Sequence, residues 1–207
     1  MQWLSSNTEL LNLAANWGML FIWVAYLHLF LQSYRRQTRS KILINRGASG
    51  GLDARCLISN MSSDAIYVES IIATLEAGDR RWSASVTARE LSDDSARPND
   101  PRELTFQGPL GAGDYLDAGA YGELLDRALD KDRGQSAETL RRLESPVTAQ
   151  IDVFADYASE DLMIGARRRF NLVEHEGVWQ LRPQRMQTQQ IRSKSERARI
   201  ADQLAAD

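Results

Sequence analysis

The sequence predicts a mainly β fold, an immunoglobulin-like antiparallel β-sandwich with a small helical insertion, preceded by one transmembrane α-helix. An uncharged apolar run fills residues 10–31, and several short runs rich in β-branched residues follow it. Clusters of Gly, Asn, Asp, Ser and Pro separate these runs. Seven or eight strands with such turn signals are typical of a sandwich, and an antiparallel barrel is the alternative fold.

The apolar run is predicted to be a membrane-spanning helix. At about 1.5 Å per residue, residues 10–31 reach roughly 33 Å, which is enough to cross a hydrocarbon core. A cleaved signal peptide is the competing interpretation. No Lys or Arg precedes the run and no small-x-small cleavage site follows it, and both departures argue against cleavage.

Charge predicts the orientation of this helix. All 25 Lys and Arg lie at Arg35 or later, and of the 28 Asp and Glu only Glu9 precedes that point. The positive-inside rule therefore predicts an outside N-terminus and a cytoplasmic C-terminus at a bacterial inner membrane. The near balance of charge in the rest of the chain argues against a nucleic-acid partner.

These patterns predict five segments along the chain. They are a short extracytoplasmic N-terminus at 1–9, the transmembrane helix at 10–31, a basic juxtamembrane linker at 32–40, a cytosolic β-sandwich at 41–185 and a polar tail at 186–207. Within the tail, Ser193 and Glu196 predict a capping box before a short helix.

One stripe of the membrane helix is predicted to pack against another helix. At 100° per residue, five residues fall close to one direction, namely Ala14, Gly18, Phe21, Ala25 and His28. Ala14 and Gly18 form a small-xxx-small pair, which favours close approach of a partner helix or of a second copy. His28 is predicted to reach the lipid headgroups, and the alternatives are a buried hydrogen-bonding group and a proton-responsive group.

The first half of the soluble part predicts strands at 41–45, 54–61 and 65–76. The last two, joined at residues 62–64, are predicted to form an antiparallel hairpin. Alternation at 82–87 predicts a strand that buries Trp82, and the apolar run around Cys56 predicts a buried free thiol. Residues 88–103 predict an exposed loop. The glycines of residues 107–122 predict turns and not a phosphate-binding loop, because no Gly-Lys-Ser/Thr follows them.

The second half predicts helices and then three long strands. Helical spacing begins at Tyr121, and Ser136 is placed to cap a second short helix. Alternation at 149–157 predicts a buried apolar face opposite a solvated face that carries Gln150, Asp152 and Asp156. These two aspartates lie too far apart on the strand for a paired-carboxylate acid/base device.

A two-residue turn at Glu176-Gly177 predicts the final hairpin, with Leu172 opposite Leu181 and Phe170 opposite Pro183. The outer face of this hairpin then collects Arg167, Arg169 and Arg182. A set of basic residues is predicted to hold the domain against an anionic leaflet, namely Arg35, Arg36, Arg39, Lys41, Arg167, Arg169 and Arg182. An ordinary solvated strand face is the alternative for the three arginines of the hairpin.

No motif predicts a catalytic, cofactor or metal site. The chain has two histidines, His28 in the membrane run and His175 at the hairpin tip, and one cysteine. No cluster of ligands accompanies them. The leading hypothesis is a non-catalytic module that recruits or regulates a protein partner at the inner membrane face. The alternatives are an accessory subunit assembled through its membrane helix and an enzyme of unrecognised type.

The apolar helix with its basic flank, together with KILINRG and ARCLISNMSSDAIYVESI, gives this chain a family resemblance over residues 1–90. It resembles uncharacterised bacterial single-pass inner-membrane proteins with a cytosolic β-sandwich domain. The resemblance implies the architecture and the location, and it brings no activity, ligand or cofactor with it.

Overall fold

The computed structural model describes residues 8–37, 40–47, 49–88, 104–130, 146–158 and 162–198. The chain separates into two compact units, Met1–Arg39 and Ser40–Asp207. The first unit contains one α-helix, and the second is built mainly from β-strands.

The first unit is helix α1, Thr8–Gln37. Its segment Thr8–Tyr34 is long and apolar enough to cross a membrane. Glu9 lies in the first turn, where the helix dipole favours a negative charge. The predicted apolar N-terminal helix is therefore confirmed, and it extends beyond residues 10–31 at both ends.

The second unit contains ten strands and a helix within the described ranges. Their bounds are β1 Ile42–Arg46, β2 Arg55–Asn60, β3 Ile66–Ala77, β4 Arg80–Ser85, β5 Gly108–Leu110, β6 Tyr115–Ala120, α2 Tyr121–Asp130, β7 Val147–Tyr157, β8 Ile164–His175, β9 Val178–Pro183 and β10 Gln189–Ile191. One sheet has the order β1-β2-β6, and the larger one has the order β10-β8-β7-β3-β4 with β5 on β3 and β9 on β8. Every strand pairing is antiparallel, so the predicted mainly β, antiparallel class is confirmed.

Both sheets and α2 share one hydrophobic core. Ile44 and Ile58 of the small sheet belong to the same buried cluster as Leu75 and Ile151 of the large one. Tyr121 of α2 meets Phe170 of β8 edge to face, with ring centroids 5.0 Å apart. The predicted burial is confirmed for Cys56, for Trp82 and for the apolar face of α2, namely Tyr121, Leu124, Leu125, Ala128 and Leu129.

The predicted hairpin between the second and third strands is wrong. β2 pairs with β1 and β6, whereas β3 belongs to the other sheet. The side chain of Asn60 is buried at this corner and donates to the carbonyl oxygens of Asp64, Leu110 and Gly111 at 2.9–3.1 Å. These bonds hold the connection across the core, so the chain changes sheets here instead of reversing within one.

Two further expectations are corrected. Residues 107–122 are not turns throughout, because they supply the short strands β5 and β6 around a turn at Gly113, whose φ is 82°. The face of β7 predicted to be solvated is largely buried, since Gln150 and Asp152 are covered by hydrogen-bond partners on β8. The predicted loop at 88–103 and the helix capped by Ser136 lie almost entirely outside the described residues.

The final hairpin is confirmed residue by residue. β8 and β9 pair Phe170 with Pro183 and Leu172 with Leu181. The turn residues Glu176 and Gly177 have φ angles of 52° and 78°, as a tight two-residue hairpin requires.

The segment at 186–198 belongs to the domain, so the predicted boundary at residue 185 is too early. β10 joins the large sheet beside β8, and Ile191 is buried against Phe154. Gly165 makes this contact possible, because a Cβ there would lie 3.0 Å from the Phe154 ring and 3.2 Å from Ile191. Of the predicted capping box, one bond is present, since the backbone amide of Glu196 donates to the Ser193 hydroxyl at 3.5 Å. The Glu196 carboxylate accepts from Arg167 instead of returning to Ser193.

Two side chains of this segment also take the place of a strand along the outer edge of β1. Gln190 accepts a hydrogen bond from the Ile42 amide and donates one to the Ile42 carbonyl, at 3.1 and 2.6 Å. Thr188 does the same for Ile44, at 3.0 and 3.2 Å. The exposed edge of the small sheet is thereby satisfied without a paired backbone.

Candidate functional site: an arginine-lined cavity

A cavity of about 90 Å³ lies where β8 changes its partner from β9 to β10. β9 pairs with residues 170–175 and β10 with residues 165–167, so the connecting residues pass beside Arg168 and Arg169. We refer to it as the arginine cavity. Its lining residues are Arg167, Arg168, Arg169, Gln184, Arg185, Gln187 and Gln189.

Arg167 is the lining arginine whose charge is compensated. Its Nε donates to Asp152 at 2.7 Å and its Nη1 donates to Glu196 at 3.1 Å. Burial by itself lowers the pKa of this guanidinium, but the hydrogen bonds and charges of Asp152 and Glu196 outweigh burial and raise the pKa. Arg167 therefore acts as a structural cation that ties the helical turn at 194–198 to the sheet.

Arg169 continues this polar network. Its Nε donates to the Gln150 side-chain oxygen at 2.6 Å, and the Gln150 amide donates in turn to Asp152 at 2.6 Å. No carboxylate among the described residues pairs with Arg169, because Asp152 is already held by Arg167. The chain of hydrogen bonds orients the Arg169 guanidinium and leaves its charge uncompensated.

Arg168 lies on the other face of β8, and its charge also lacks a carboxylate partner in the described part of the chain. It donates to the Ile44 carbonyl at 2.6 Å and to the Asn45 side chain at 3.0 Å, and its guanidinium lies 5.6 Å from the Phe170 ring centroid. These neutral acceptors and the ring stabilise the cation only in part. Its Nε is buried and has no acceptor among the described residues.

Arg185 supplies a third uncompensated charge. Its side chain is exposed, and within the described ranges it has neither an ion-pair partner nor a hydrogen-bond partner. Gln184 fixes the start of the connection between β9 and β10, because its backbone amide donates to the Arg169 carbonyl at 3.0 Å. Three arginines without a carboxylate partner among the described residues and three glutamines therefore line the cavity.

The hairpin arginines predicted from the sequence do share one face. Arg182 lies opposite Asn171, so it projects to the same side of the sheet as Arg167 and Arg169. Of these three, Arg167 and Arg169 line the cavity and Arg182 does not. Arg167 is not a free surface charge, as a purely solvated face would require.

The remaining predicted residues are distributed over both units. Arg35 and Arg36 lie in the last turns of α1, Arg39 lies outside the described residues, and Lys41 is exposed just before β1. The predicted packing stripe runs along α1, with Ala25 half-buried and the other four residues exposed, namely Ala14, Gly18, Phe21 and His28. Its packing role stays a prediction.

Five of the seven cavity residues were not predicted. Arg168 was missed because strand alternation assigns it to the core side of β8, and the four residues at 184–189 were missed because their composition is that of a polar tail. A weak signal was present in TQQI at 188–191, where Thr188 and Gln190 alternate with Gln189 and Ile191 as in a strand.

Other reactive groups in the described residues serve the fold. Burial raises the pKa of the Cys56 thiol to about 12, which leaves it protonated and unreactive at neutral pH. The described ranges contain no group of three or more His, Cys, Asp and Glu side chains placed to hold a metal ion. His175 is exposed at the tip of the final hairpin.

Comparison of the chain with protein family models, with curated proteins and with solved structures found no match. The inference of function therefore rests on the geometry and the charge of the arginine cavity.

Proposed function

We propose that this chain is a membrane-anchored, non-catalytic interaction module that recruits or regulates an acidic protein partner at the inner face of a bacterial plasma membrane. The observation that carries the proposal is the arginine cavity, in which Arg168, Arg169 and Arg185 have no carboxylate partner among the described residues. Such a cluster attracts anionic groups and orients them through guanidinium hydrogen bonds.

The anchoring part of the proposal is supported by helix α1. No residue of its apolar segment Thr8–Tyr34 is buried, as expected for a helix that is surrounded by lipid. The basic residues that follow the segment support an outside N-terminus and a cytoplasmic domain. An immunoglobulin-like arrangement of the domain is likewise proposed, supported by two antiparallel sheets around one core.

Capture of partners from detergent-solubilised membranes tests the proposal. The full chain should be compared with the charge reversal R169E/R185E and with the matched control R80E/R81E, which changes two exposed arginines on β4 at the opposite edge of the sheet. We expect a partner that the wild type and the control retain and that R169E/R185E loses. Equal capture by all three chains would remove the cavity as the interaction site.

A second candidate function is an accessory subunit held in a membrane complex through α1. It is favoured by the exposed apolar surface of the helix, including Gly18, where an added Cβ would meet nothing within 4 Å. A partner that the charge-reversed chain retains but the G18L chain loses would support this second function over the first.

A further inference from the structure

Asp152 and Glu196, two carboxylates beside the arginine cavity, are both bound to Arg167, which lines it. Arg168, Arg169 and Arg185 therefore line one cavity with like charges and without a carboxylate partner among the described residues. Bringing guanidinium groups together in a partly desolvated site is unfavourable unless an anion compensates them. Arg168 adds a buried Nε that has no acceptor in the described part of the chain.

We propose that the arginine cavity binds the dianionic phosphate of a phosphomonoester. This inference rests on the proposed function, because it names the chemical group by which the partner is held. A phosphate monoester carries close to two negative charges at neutral pH, whereas an aspartate or glutamate side chain carries one. Against three uncompensated guanidinium groups, the dianion is the better electrostatic match.

The donors around the cavity also favour phosphate over carboxylate. Arg168 and Arg169 belong to β8, while Gln184, Arg185 and Gln187 belong to the connection that passes beside it. Guanidinium and amide donors therefore border the cavity from two chain segments. A tetrahedral group with three free oxygens can accept from both segments, whereas the two oxygens of a carboxylate lie in one plane.

The cavity is large enough for one such group. Its volume of about 90 Å³ accommodates a phosphate bound through its free oxygens. The remainder of the ligand lies outside the cavity, as it does when a phosphorylated side chain is recognised.

A phospholipid headgroup is a less suitable source of the phosphate. The phosphodiester of a lipid has a single charge and two free oxygens, and both are poorer complements to three arginines and three glutamines. A phosphorylated side chain of a protein partner presents the dianion at the end of a flexible stem. The structure therefore favours a phosphorylated protein segment.

Titration calorimetry on the full chain in non-ionic detergent tests this inference. The probes are inorganic phosphate, a neutral peptide with one phosphoserine, the same peptide with serine or glutamate, and glycerophosphoglycerol, the phosphodiester headgroup of phosphatidylglycerol. We expect binding of inorganic phosphate and of the phosphopeptide. R169Q/R185Q should weaken both at least about tenfold, since two charged hydrogen-bond donors are removed, and R80Q/R81Q should leave them unchanged.

The exposed side chain of Arg185 provides a variant that does not disturb the fold, because R185Q alone removes no contact within the described residues. It should weaken phosphopeptide binding while the unfolding midpoint stays that of the wild type. Equal binding of the serine and phosphoserine peptides, or undiminished phosphopeptide binding by R185Q and R169Q/R185Q, would overturn the inference. Binding of glycerophosphoglycerol in preference to the phosphopeptide would also overturn it, by assigning the cavity to a lipid headgroup.

The two proposals fail in different ways. If partner capture depends on the cavity arginines but no phosphate probe binds, the phosphate inference is wrong and the recruitment function stands. If phosphate binds and partner capture is unchanged by R169E/R185E, the inference stands and recruitment through this site is wrong.

Discussion

Helix α1 and the C-terminal segment at 184–198 differ in which side chains they expose and which they bury. In α1, large apolar side chains are exposed, and Phe21 reaches 75%. In the C-terminal segment, which is polar by composition, Thr188 is 8% exposed and Ile191 is 3% exposed. An apolar helix without buried side chains suits a lipid solvent, whereas a polar segment becomes buried when specific partners satisfy its hydrogen bonds.

The largest expected effect comes from removing the anchor. Deleting residues 1–39 should transfer the chain completely from the membrane fraction to the soluble fraction, because it removes the apolar surface of α1. Fractionation of cells followed by alkaline extraction of the membranes measures this. Deletion of residues 199–207 is the control at the other end and should leave the chain in the membrane. A chain that stays membrane-bound without α1 would contradict the comparison.

The next effect concerns the C-terminal segment. A chain that ends at Arg185 loses β10, the contact of Ile191 with Phe154 and the hydrogen bonds of Thr188 and Gln190 to β1. Loss of the buried isoleucine alone costs about 2–5 kcal/mol, and exposure of the β1 edge adds to that. We expect the free energy of unfolding to fall by at least about 4 kcal/mol in denaturant titrations followed by circular dichroism.

A chain that ends at Ala198 is the matched control, since it keeps every one of these contacts. It should unfold at the wild-type midpoint. If both truncations unfold alike, the segment is not part of the domain core.

A smaller effect on stability is expected from the two carboxylates that bind Arg167, and it should differ between them. The Asp152 side chain is 7% exposed and the Glu196 side chain is 29% exposed. Asp152→Asn should cost about 3 kcal/mol of stability because it leaves a largely buried guanidinium without its main partner. Glu196→Gln, nearer to solvent, should cost about 1 kcal/mol or less. Equal losses in thermal unfolding would show that Arg167 does not depend on the buried partner.

The smallest expected effect is a stabilisation of the domain by a substitution in the turn between β8 and β9, away from α1 and from the C-terminal segment. Glu176 adopts a positive φ of 52° in the turn between β8 and β9, a conformation that asparagine tolerates better than glutamate. Glu176→Asn should raise the free energy of unfolding by about 0.5–1 kcal/mol, and it should leave partner capture unchanged. A destabilised variant would mean that the turn does not hold the conformation described.

Local patterns predicted the final hairpin to the residue, because the Glu176-Gly177 turn and the alternation on either side of it specify one register. The connection at residues 62–64 has similar turn residues, yet it crosses between the sheets. Asn60 decides this through bonds to Leu110 and Gly111, which lie far away in sequence. A single sequence contains no signal for such a contact.

In the candidate site too, local sequence patterns predict some features, and contacts between distant parts of the chain determine the others. Strand alternation placed Arg167 and Arg169 on one face, which the register confirms. The cavity itself depends on β8 exchanging β9 for β10 along its edge, and that exchange brings Arg185 and Gln187 beside Arg168. Because β10 contains three residues and few apolar side chains, its pairing is determined by tertiary contacts that hydropathy does not report.

Photocrosslinking in intact cells tests the central claim, that the arginine cavity recruits a partner at the membrane. A photoreactive amino acid is placed at Gln187 in the cavity lining or, as the control, at Arg80 on β4. We predict a discrete adduct in the membrane fraction from position 187 that disappears in the R169E/R185E background, and none at the same mass from position 80. The same adduct from both positions, or an adduct at 187 that survives the charge reversal, would contradict the claim.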